Sequence, residues 1–167
     1  MIEVRVLSSD DWPLWRELRL AALAEAPTAF GARLADWQGE GDREDRWRRR
    51  LEIPGSHNVI AVLDGALAGM VSGIPGGDAD TVELISMWVS PQARRRGVAR
   101  RLIQEVERWA VLRRATTLRL CVTPGNDEAD ALYRSHGFKD TGELGDLLDD
   151  GESREVVMTK PLDGSGG

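Results

Sequence analysis

The stretch of sequence that decides the fold joins an apolar run to a helix, and it reads Val89-Ser90-Pro91-Gln92-Ala93-Arg94-Arg95-Arg96-Gly97-Val98-Ala99. Its pattern predicts a buried strand, then a basic turn, then the start of a helix. At such a turn the first backbone N–H groups of the helix have no partner, and they lie at the positive end of the helix dipole. A pyrophosphate binds well at that position. The alternative is a solvated basic turn that only caps the helix.

The side chains of this turn also suit a phosphate ligand. Gly97 and Ala99 are small enough for phosphates to approach the main chain, and the three arginines before them neutralise negative charge. The string Arg-x-x-Gly-x-Ala arises by chance in about one chain in ten of this length, so the string alone is weak evidence. Its position between a predicted strand and a predicted helix makes it informative.

The segments on either side of the turn are strongly patterned. Thr81–Val89 is apolar on both faces apart from Glu83 and one serine, which predicts a central strand covered on both sides. Val98–Leu112 repeats apolar residues at helical spacing and is followed by two arginines, whose charge suits the C-terminal end of a helix. The strand therefore places Glu83 inside the protein or in a cleft.

The rest of the chain predicts further strands and helices from the same kinds of pattern. In chain order they are a strand at 2–6, helices at 12–24 and 42–51, strands at 59–63, 66–72 and 117–123, a short helix between Asn126 and Gly137, and strands around Phe138 and at 154–160. Pro27 ends the first helix, and Asp64-Gly65 forms a tight hairpin. The order β-α-α-β-β-β-α-β-α-β-β predicts an α/β fold with a mixed sheet flanked by helices. We expect one domain, residues 1–162, and a flexible tail, residues 163–167.

Composition and charge exclude several classes of protein. The 167 residues carry a formal net charge of −6, which disfavours a general attraction to nucleic acid or to an anionic membrane. The apolar stretches are too short to span a bilayer and the N-terminus lacks a secretory signal, so we expect a cytoplasmic location. His57 and His136 have no partner at metal-ligand spacing, and no metal is expected. The single cysteine, Cys121, is interpreted as a buried and inert thiol.

Two motifs of the sequence resemble signatures of the GNAT superfamily of N-acetyltransferases. Arg94, Gly97 and Ala99 match the acetyl-CoA signature, which is Gln or Arg, two residues, Gly, one residue, then Gly or Ala. A second signature, Asn-x-x-Ala-x-x-Leu-Tyr followed by Gly-Phe, is matched by Asn126, Ala129, Leu132, Tyr133, Gly137 and Phe138. The resemblance covers residues 81–142 closely. It implies a GNAT-like fold with acetyl-CoA as donor, but it does not identify the acceptor.

The resemblance also implies which residues bind acetyl-CoA. The main-chain N–H groups of the signature loop would hold the pyrophosphate, and the loop residues are Arg94, Arg95, Arg96, Gly97, Val98, Ala99 and Arg100. Met87 and Val89 correspond to positions whose main chain pairs with the pantetheine arm like an added strand. Asn126 corresponds to a residue that touches the same arm, although a helix cap explains it nearly as well. A homodimer is a further implication of the resemblance.

Two proton transfers need help when an amine attacks a thioester. An amine such as that of lysine, with a pKa of about 10.4, is mostly protonated at neutral pH, so a general base speeds the attack. Glu83 is the candidate base, because it is the only carboxylate in the central strand; an edge position or a structural salt bridge is the alternative. The family match makes Tyr133 the candidate acid for the departing thiolate; a core aromatic with a satisfied hydroxyl is the alternative.

These observations predict an N-acetyltransferase that moves an acetyl group from acetyl-CoA directly to a primary amine of a small molecule or a peptide. A non-catalytic acyl-CoA-binding regulatory module is the alternative, and a nucleic-acid-binding domain fits least well. Two acidic groups could attract a cationic acceptor or could be ordinary solvated surface. They are Asp36, Glu40, Asp42 and Glu44, and the loop at 146–152.

Overall fold

Seven strands form one mixed sheet in the computed structural model, which describes residues 1–25, 34–148 and 151–162. The strands are β1 Ile2–Val6, β2 His57–Leu63, β3 Ala66–Pro75, β4 Thr81–Val89, β5 Thr117–Val122, β6 Lys139–Leu147 and β7 Arg154–Pro161. The helices are α1 Trp12–Glu25, α2 Glu44–Leu51, α3 Val98–Leu112 and α4 Asp127–Ser135. The strands lie in the order β1-β2-β3-β4-β5-β7-β6, and neighbours are antiparallel except β4 and β5. The predicted element order and the α/β fold class are confirmed.

Helices cover both faces of the sheet. Successive residues of a strand point to opposite faces, so each strand contributes side chains to both sides. In β2, Val59 and Ala61 belong to the apolar cluster that contains α3 and Tyr133. The alternate residues Ile60 and Val62 belong to the cluster that contains α1 and α2. The sheet is therefore the middle layer between two hydrophobic cores.

The apolar patterns of the predicted helices and strands are buried as expected. In α3 the buried residues are Val98, Leu102, Ile103, Val106 and Ala110. In β5 every second residue is buried: Leu118, Leu120 and Val122. The β2–β3 hairpin turns at Asp64 and Gly65, whose φ angles of 52° and 88° are the positive values that a tight hairpin requires.

β4 carries an irregularity that the sequence pattern does not reveal. Met70 pairs with Trp88 and Ser72 pairs with Ile85, so β4 has one more residue than β3 between these two pairs. Ser86 lies in this bulge with a φ of 57°. A bulge bends its strand. β5 pairs with β4 only at residues 81–83, and beyond them a cleft opens between the two parallel strands.

Some local details differ from the predictions. Val6 is 56% exposed, because β1 is an edge strand, and only Ile2 and Val4 of its alternating face are half-buried. β3 continues to Pro75, where the sequence predicts a glycine-rich turn. Pro27 and the predicted tail at 163–167 lie outside the described residues.

The start of α2 also differs from the prediction. The helix begins at Glu44 and not at residue 42. Asp42 instead accepts hydrogen bonds from Arg16 Nε and from Trp47 Nε1, both at 2.8 Å, which ties the loop before α2 to α1. Among the residues that the structure describes, no helix is both long and apolar enough to cross a bilayer.

Candidate active site

A cavity of about 460 Å³, here called the donor cavity, lies where β4 leads into α3. Nine of the ten residues predicted to bind acetyl-CoA line it: Met87, Val89, Arg94, Arg95, Gly97, Val98, Ala99, Arg100 and Asn126. The tenth, Arg96, is exposed and lies outside the lining, close enough to Asp64 to help lower its pKa, although the N-terminal ammonium is the main cause. The structure thus brings nearly all of the predicted residues to one place.

Backbone amides at the start of α3 have no partner within the helix. Its first hydrogen bond runs from the Arg101 N–H to the Gly97 carbonyl at 3.1 Å, so the N–H groups of residues 98–100 lack an intrahelical acceptor. Gly97 precedes them with a φ of 85°. Among the described residues, a Cβ on Gly97 would meet only Ile2, at 3.9 Å. Glycine is therefore needed here first for its backbone conformation.

The side chain of Arg94 is held by two hydrogen bonds within the protein. Its Nε donates to the Val89 carbonyl at 3.1 Å, and its Nη2 donates to Glu25 Oε1 at 2.7 Å. These contacts use two of the five N–H donors of Arg94, and the expectation that it neutralises phosphate charge stays a prediction. Arg95 and Arg100 are exposed and line the same cavity, so they are better placed to meet a phosphate.

A second cavity of about 440 Å³, here called the acceptor cavity, fills the gap between β4 and β5 and reaches α1, β6 and β7. Its polar lining includes Arg19, Glu83, Arg119, Cys121, Asp146 and Glu155. Met87 and Tyr133 line both cavities. A group that extends along the donor cavity therefore reaches the acceptor cavity at these two residues.

Glu83 lies in the central strand β4, at the edge of the cleft. Its Oε1 accepts a hydrogen bond from Arg119 Nη1 at 2.8 Å, and its side chain is 25% exposed. The two residues are also register partners in the β4–β5 ladder. The edge-strand alternative is thereby excluded, whereas a salt bridge is present. The carboxylate still lines the acceptor cavity, so the ion pair and a role as base are compatible.

Tyr133 is buried at the junction of the two cavities. Its ring packs edge-on against Phe138, with centroids 5.8 Å apart. Burial raises the pKa of the phenol well above its ordinary value, so the group is neutral and can donate a proton. Within residues 1–25, 34–148 and 151–162, no hydrogen bond to the Tyr133 hydroxyl is found. Those residues therefore do not support the alternative of a core aromatic whose hydroxyl has a hydrogen-bond partner.

The sequence model of the acetyltransferase (GNAT) family matches residues 14–138, which is well over half of the chain. The chain belongs to this family. Human N-acetylaspartate synthetase is 34% identical over 101 residues, which are 60% of this chain and 33% of that protein. The N-alpha-acetyltransferase RimI of Mycobacterium tuberculosis is 34% identical over 106 residues, which are 59% of this chain and 65% of that protein. This GNAT chain therefore spans about a third of the first relative's length.

The GNAT fold is also seen in solved structures. The PaiA N-acetyltransferase of Thermoplasma acidophilum, crystallised in complex with coenzyme A, superposes with a TM-score of 0.74. The alignment covers 96% of this chain and 99% of that one, at 20% identity. At this identity the likeness supports the fold alone.

Sequence reasoning misses two arginines, one in the acceptor cavity of this GNAT chain and one behind its lining. Arg19 of α1 lines the acceptor cavity, and burial lowers its pKa to about 10. Burial also lowers the pKa of Arg50 in α2 to about 10, with a smaller contribution from Arg19. A signal was available in the sequence, because Arg19 lies four residues after Trp15, on the stripe of α1 that faces the core.

Asn126 and Cys121 have clear structural settings. Asn126 Oδ1 accepts from the Ala129 N–H at 3.3 Å, so it caps α4 while also lining the donor cavity. Cys121 is half-buried, not buried, because it lines the acceptor cavity. Burial, followed by the charge of Glu155, raises its pKa to about 11, which keeps it a neutral thiol.

The two histidines lie apart from the junction of the cavities. His57 Nε2 lies 2.8 Å from Glu105 Oε2, and its ring stacks on Trp109. His136 lines the donor cavity, and burial lowers its pKa. In the part of the chain that the structure describes, no group of three or more His, Cys, Asp or Glu side chains is arranged to hold a metal.

Proposed function

We propose that this GNAT family chain is an N-acetyltransferase that uses acetyl-CoA as donor and a primary amine as acceptor. One observation carries the proposal: a donor cavity, lined by the start of α3 whose first amides have no acceptor within the helix, meets a polar acceptor cavity at Met87 and Tyr133, beside Glu83. A transferase needs such a junction, because donor and acceptor must be present together for direct transfer.

The residues of the donor cavity fit acetyl-CoA. The amides of residues 98–100 and the exposed Arg95 and Arg100 suit a pyrophosphate. Val98 and Leu132 provide apolar surface for a flexible arm that leads toward Tyr133. In β4, Met87 lies beyond the last residue that pairs with β5, so the main chain on that side is available to a ligand.

The chemistry then follows from three side chains. Acetyl-CoA supplies an acetyl group activated as a thioester. As the amine nitrogen bonds to the acetyl carbon and the carbon–sulfur bond breaks, Glu83 accepts the proton that the nitrogen loses, directly or through water, and then releases it to solvent. Tyr133 donates its proton toward the departing sulfur and regains one from solvent. Arg119 orients the Glu83 carboxylate through their hydrogen bond of 2.8 Å.

The names of the relatives support an amine acceptor. One relative is a synthetase of N-acetylaspartate and the other is an N-alpha-acetyltransferase. The acidic residues that could attract a cationic acceptor differ in their surroundings. Asp42 and Glu44 already form ion pairs with Arg16 and Arg48. Asp146 is different, because it lines the acceptor cavity.

The test is release of CoA in the presence of acetyl-CoA and a panel of primary amines, with the product mass read in parallel. We expect one acetylated product molecule for each CoA released, and a much slower reaction in Tyr133→Phe. Arg134→Gln, on the exposed side of the same helix, is the matched control and should keep the wild-type rate. Tight binding of acetyl-CoA without turnover of any amine would contradict the proposal and favour a non-catalytic acyl-CoA-binding module.

Three further expectations stay predictions of the proposed function. They are a cytoplasmic location, a homodimer and a reaction without a metal ion. Light scattering on the purified chain tests the dimer, and activity in the presence of a strong chelator tests the metal. Imaging of a tagged full-length protein tests the location.

A further inference from the structure

A network of polar side chains lies buried between α2 and the sheet. Asn58 of β2 and Ser72 of β3 are 2% and 0% exposed, and they are register partners. Ser72 Oγ donates to Asn58 Oδ1 at 2.6 Å, and Asn58 Nδ2 donates to the Leu51 carbonyl at 3.2 Å. Buried polar groups are costly unless they are hydrogen-bonded, so this network restricts how α2 packs on the sheet.

Arg50 of α2 lies at the centre of this network. Its Nη1 donates to Asn58 Oδ1 and its Nη2 donates to Ser72 Oγ, both at 3.1 Å. The same Nη2 donates to Ser86 Oγ at 3.0 Å. Burial is the main cause that lowers the pKa of Arg50, but only to about 10, so it stays charged at neutral pH and its hydrogen bonds are charge-assisted. One guanidinium therefore ties α2 to β2, β3 and β4.

Ser86 is the residue of β4 that lies in the bulge. Its φ of 57° is a positive value that residues other than glycine rarely adopt, so the surrounding structure must hold it there. Within the described part of the chain, Arg50 is the one residue that forms a hydrogen bond with the Ser86 side chain. The same nitrogen of Arg50 contacts Ser72, which pairs with Ile85 just before the bulge. Arg50 therefore joins β3 and β4 at the position where β4 bulges.

The bulge lies between two residues of the proposed mechanism. Glu83, the candidate base, precedes it in β4, and Met87, which lines both cavities, follows it directly. Ser86 lines the acceptor cavity, whereas Arg50, as the described residues are arranged, lines neither cavity. Loss of the bulge would shift the pairing after it by one residue and turn the following side chains to the opposite face. The conformation of Ser86 therefore sets where Met87 lies relative to Glu83.

We propose that Arg50 is a positioning residue, which holds the β4 bulge through Ser86 and so aligns the donor with Glu83; this inference rests on the proposed function. Arginine suits this role because its planar fork directs several N–H groups in fixed directions. A misplacement of reacting groups by about 1 Å costs up to about a hundredfold in rate. We therefore expect loss of the contact between Arg50 and Ser86 to lower kcat more than it weakens the binding of acetyl-CoA.

The first test compares two hydroxyls that accept from the same nitrogen. Ser86→Ala and Ser72→Ala each remove one hydrogen bond from Arg50 Nη2, of 3.0 Å and 3.1 Å. We expect Ser86→Ala to lower kcat at least about tenfold and to keep the dissociation constant for acetyl-CoA within about threefold, whereas Ser72→Ala keeps kcat within about threefold. A purely structural role predicts lower stability and the same kcat in both variants. Urea unfolding measures the stability of each.

The second test asks whether Arg50 acts through Ser86. Arg50→Met should lower kcat at least about tenfold, and adding Ser86→Ala to it should lower kcat no further, since the two changes remove the same interaction. Arg50→Lys keeps the charge and should recover part of the rate. Arg49→Met is the matched control, since Arg49 is the preceding residue of α2 and is 74% exposed. Thermal unfolding identifies a variant that does not fold; if Arg50→Met does not, Ser86→Ala and Arg50→Lys decide.

A third measurement does not require turnover. Amide hydrogen exchange, followed by NMR, reports on the opening of individual segments. We expect exchange at residues 85–88 to be at least about tenfold faster in Ser86→Ala than in the wild type, with α3 unchanged. Faster exchange spread evenly over the sheet and α3 would indicate general destabilisation and would overturn the inference.

The outcomes separate this inference from the proposed function. Wild-type kcat in folded Arg50→Met, or equal kcat in Ser86→Ala and Ser72→Ala, overturns the inference and leaves the transferase intact. Effects of Arg50→Met and Ser86→Ala that multiply in the double variant also overturn it. If no amine releases CoA, the proposed function fails, whereas faster exchange confined to residues 85–88 in Ser86→Ala still supports the role of Arg50 in holding the bulge. In that case, unchanged exchange at those residues overturns the inference.

Discussion

Glu25, the last residue of α1, accepts a hydrogen bond at 2.7 Å from Arg94, the first residue of the acetyl-CoA signature. Trp88 Nε1 donates to the same carboxylate at 3.1 Å. Glu25, Trp88 and Arg94 all line the donor cavity. Since Arg94 also donates to the Val89 carbonyl, the cluster ties the end of α1 to the turn before α3. We interpret Glu25 and Arg94 as positioning residues for the donor loop.

Replacing Glu25 should therefore weaken cofactor binding. We expect Glu25→Ala to raise the dissociation constant for acetyl-CoA about tenfold, because a charge-assisted hydrogen bond that orders the loop contributes on the order of 1–3 kcal/mol. Fluorescence titration measures the constant. Glu17→Ala, on the exposed side of the same helix, is the control and should bind as the wild type does. Equal affinity in the two variants would show that the cluster does not support the loop.

Gly97 should tolerate no β-branched residue. Gly97→Val forces a side chain into a φ of 85° just before the amides of α3, so we expect the affinity for acetyl-CoA to fall by at least about tenfold. Gly142 has a φ of 82° and open space around it, so Gly142→Val carries a similar backbone cost away from the cavity. Isothermal titration of both variants separates binding from stability. Wild-type affinity in Gly97→Val would count against the proposed loop.

Tyr133→Phe should lower kcat by about a hundredfold and leave the affinity for acetyl-CoA within a factor of about two. Because burial raises the pKa of the phenol, Tyr133 stays protonated, and able to donate, to a higher pH than an ordinary tyrosine. Deprotonation of Tyr133 therefore cannot limit the wild-type rate below a pH of about 10. Pre-steady-state measurements between pH 6 and about 10 check both points. A variant with wild-type kcat would remove Tyr133 from the mechanism.

Glu83→Gln should slow the reaction most at neutral pH. Without a base, the attack depends on the small fraction of amine that is already deprotonated, so the rate of the variant should rise about tenfold per pH unit. At high pH it should approach the wild-type rate. The measurement is the pH profile of kcat/KM for one amine. If the profiles of wild type and variant are parallel, the base lies elsewhere or the amine arrives deprotonated.

Asp42 should contribute to stability in a pH-dependent manner. Hydrogen bonds from Arg16, and then from Trp47, lower its pKa from 3.8 to about 2. Because the folded pKa is lowered, this contribution is complete above the unfolded pKa and is lost as pH falls toward the folded one. We expect Asp42→Asn to reduce the free energy of unfolding by about 1 kcal/mol at pH 7, a value discounted for solvent screening.

Urea unfolding followed by tryptophan fluorescence measures this difference. The gap between wild type and Asp42→Asn should shrink as the pH falls from about 4 toward about 2. Asp45→Asn is the control, since Asp45 is 61% exposed and its ion pairs are longer than 3.5 Å. A gap that stays constant with pH would contradict the assignment.

Much of the donor site could be predicted because its parts are neighbours in the chain. A strand, a turn and the first turn of a helix follow one another within residues 81–100, and the amides without an intrahelical acceptor come from the helix start itself. The cap that Asn126 provides for α4 also depends on a near neighbour in the chain, the N–H of Ala129. The acceptor site is different. Arg19, Glu83 and Glu155 come from three distant segments of the chain. The local sequence around each residue does not indicate that all three line one cavity.

The sequence by itself determined the element order, the alternation that sends Val59 and Ile60 to opposite layers, and the helix end that presents amides, since these depend on periodicity and on bonds between near neighbours. Only the tertiary structure decided that Glu83 pairs with Arg119, that β4 bulges at Ser86, and that one cleft lies between opposite charges. Those outcomes depend on which strands pair and in what register, which long-range packing selects.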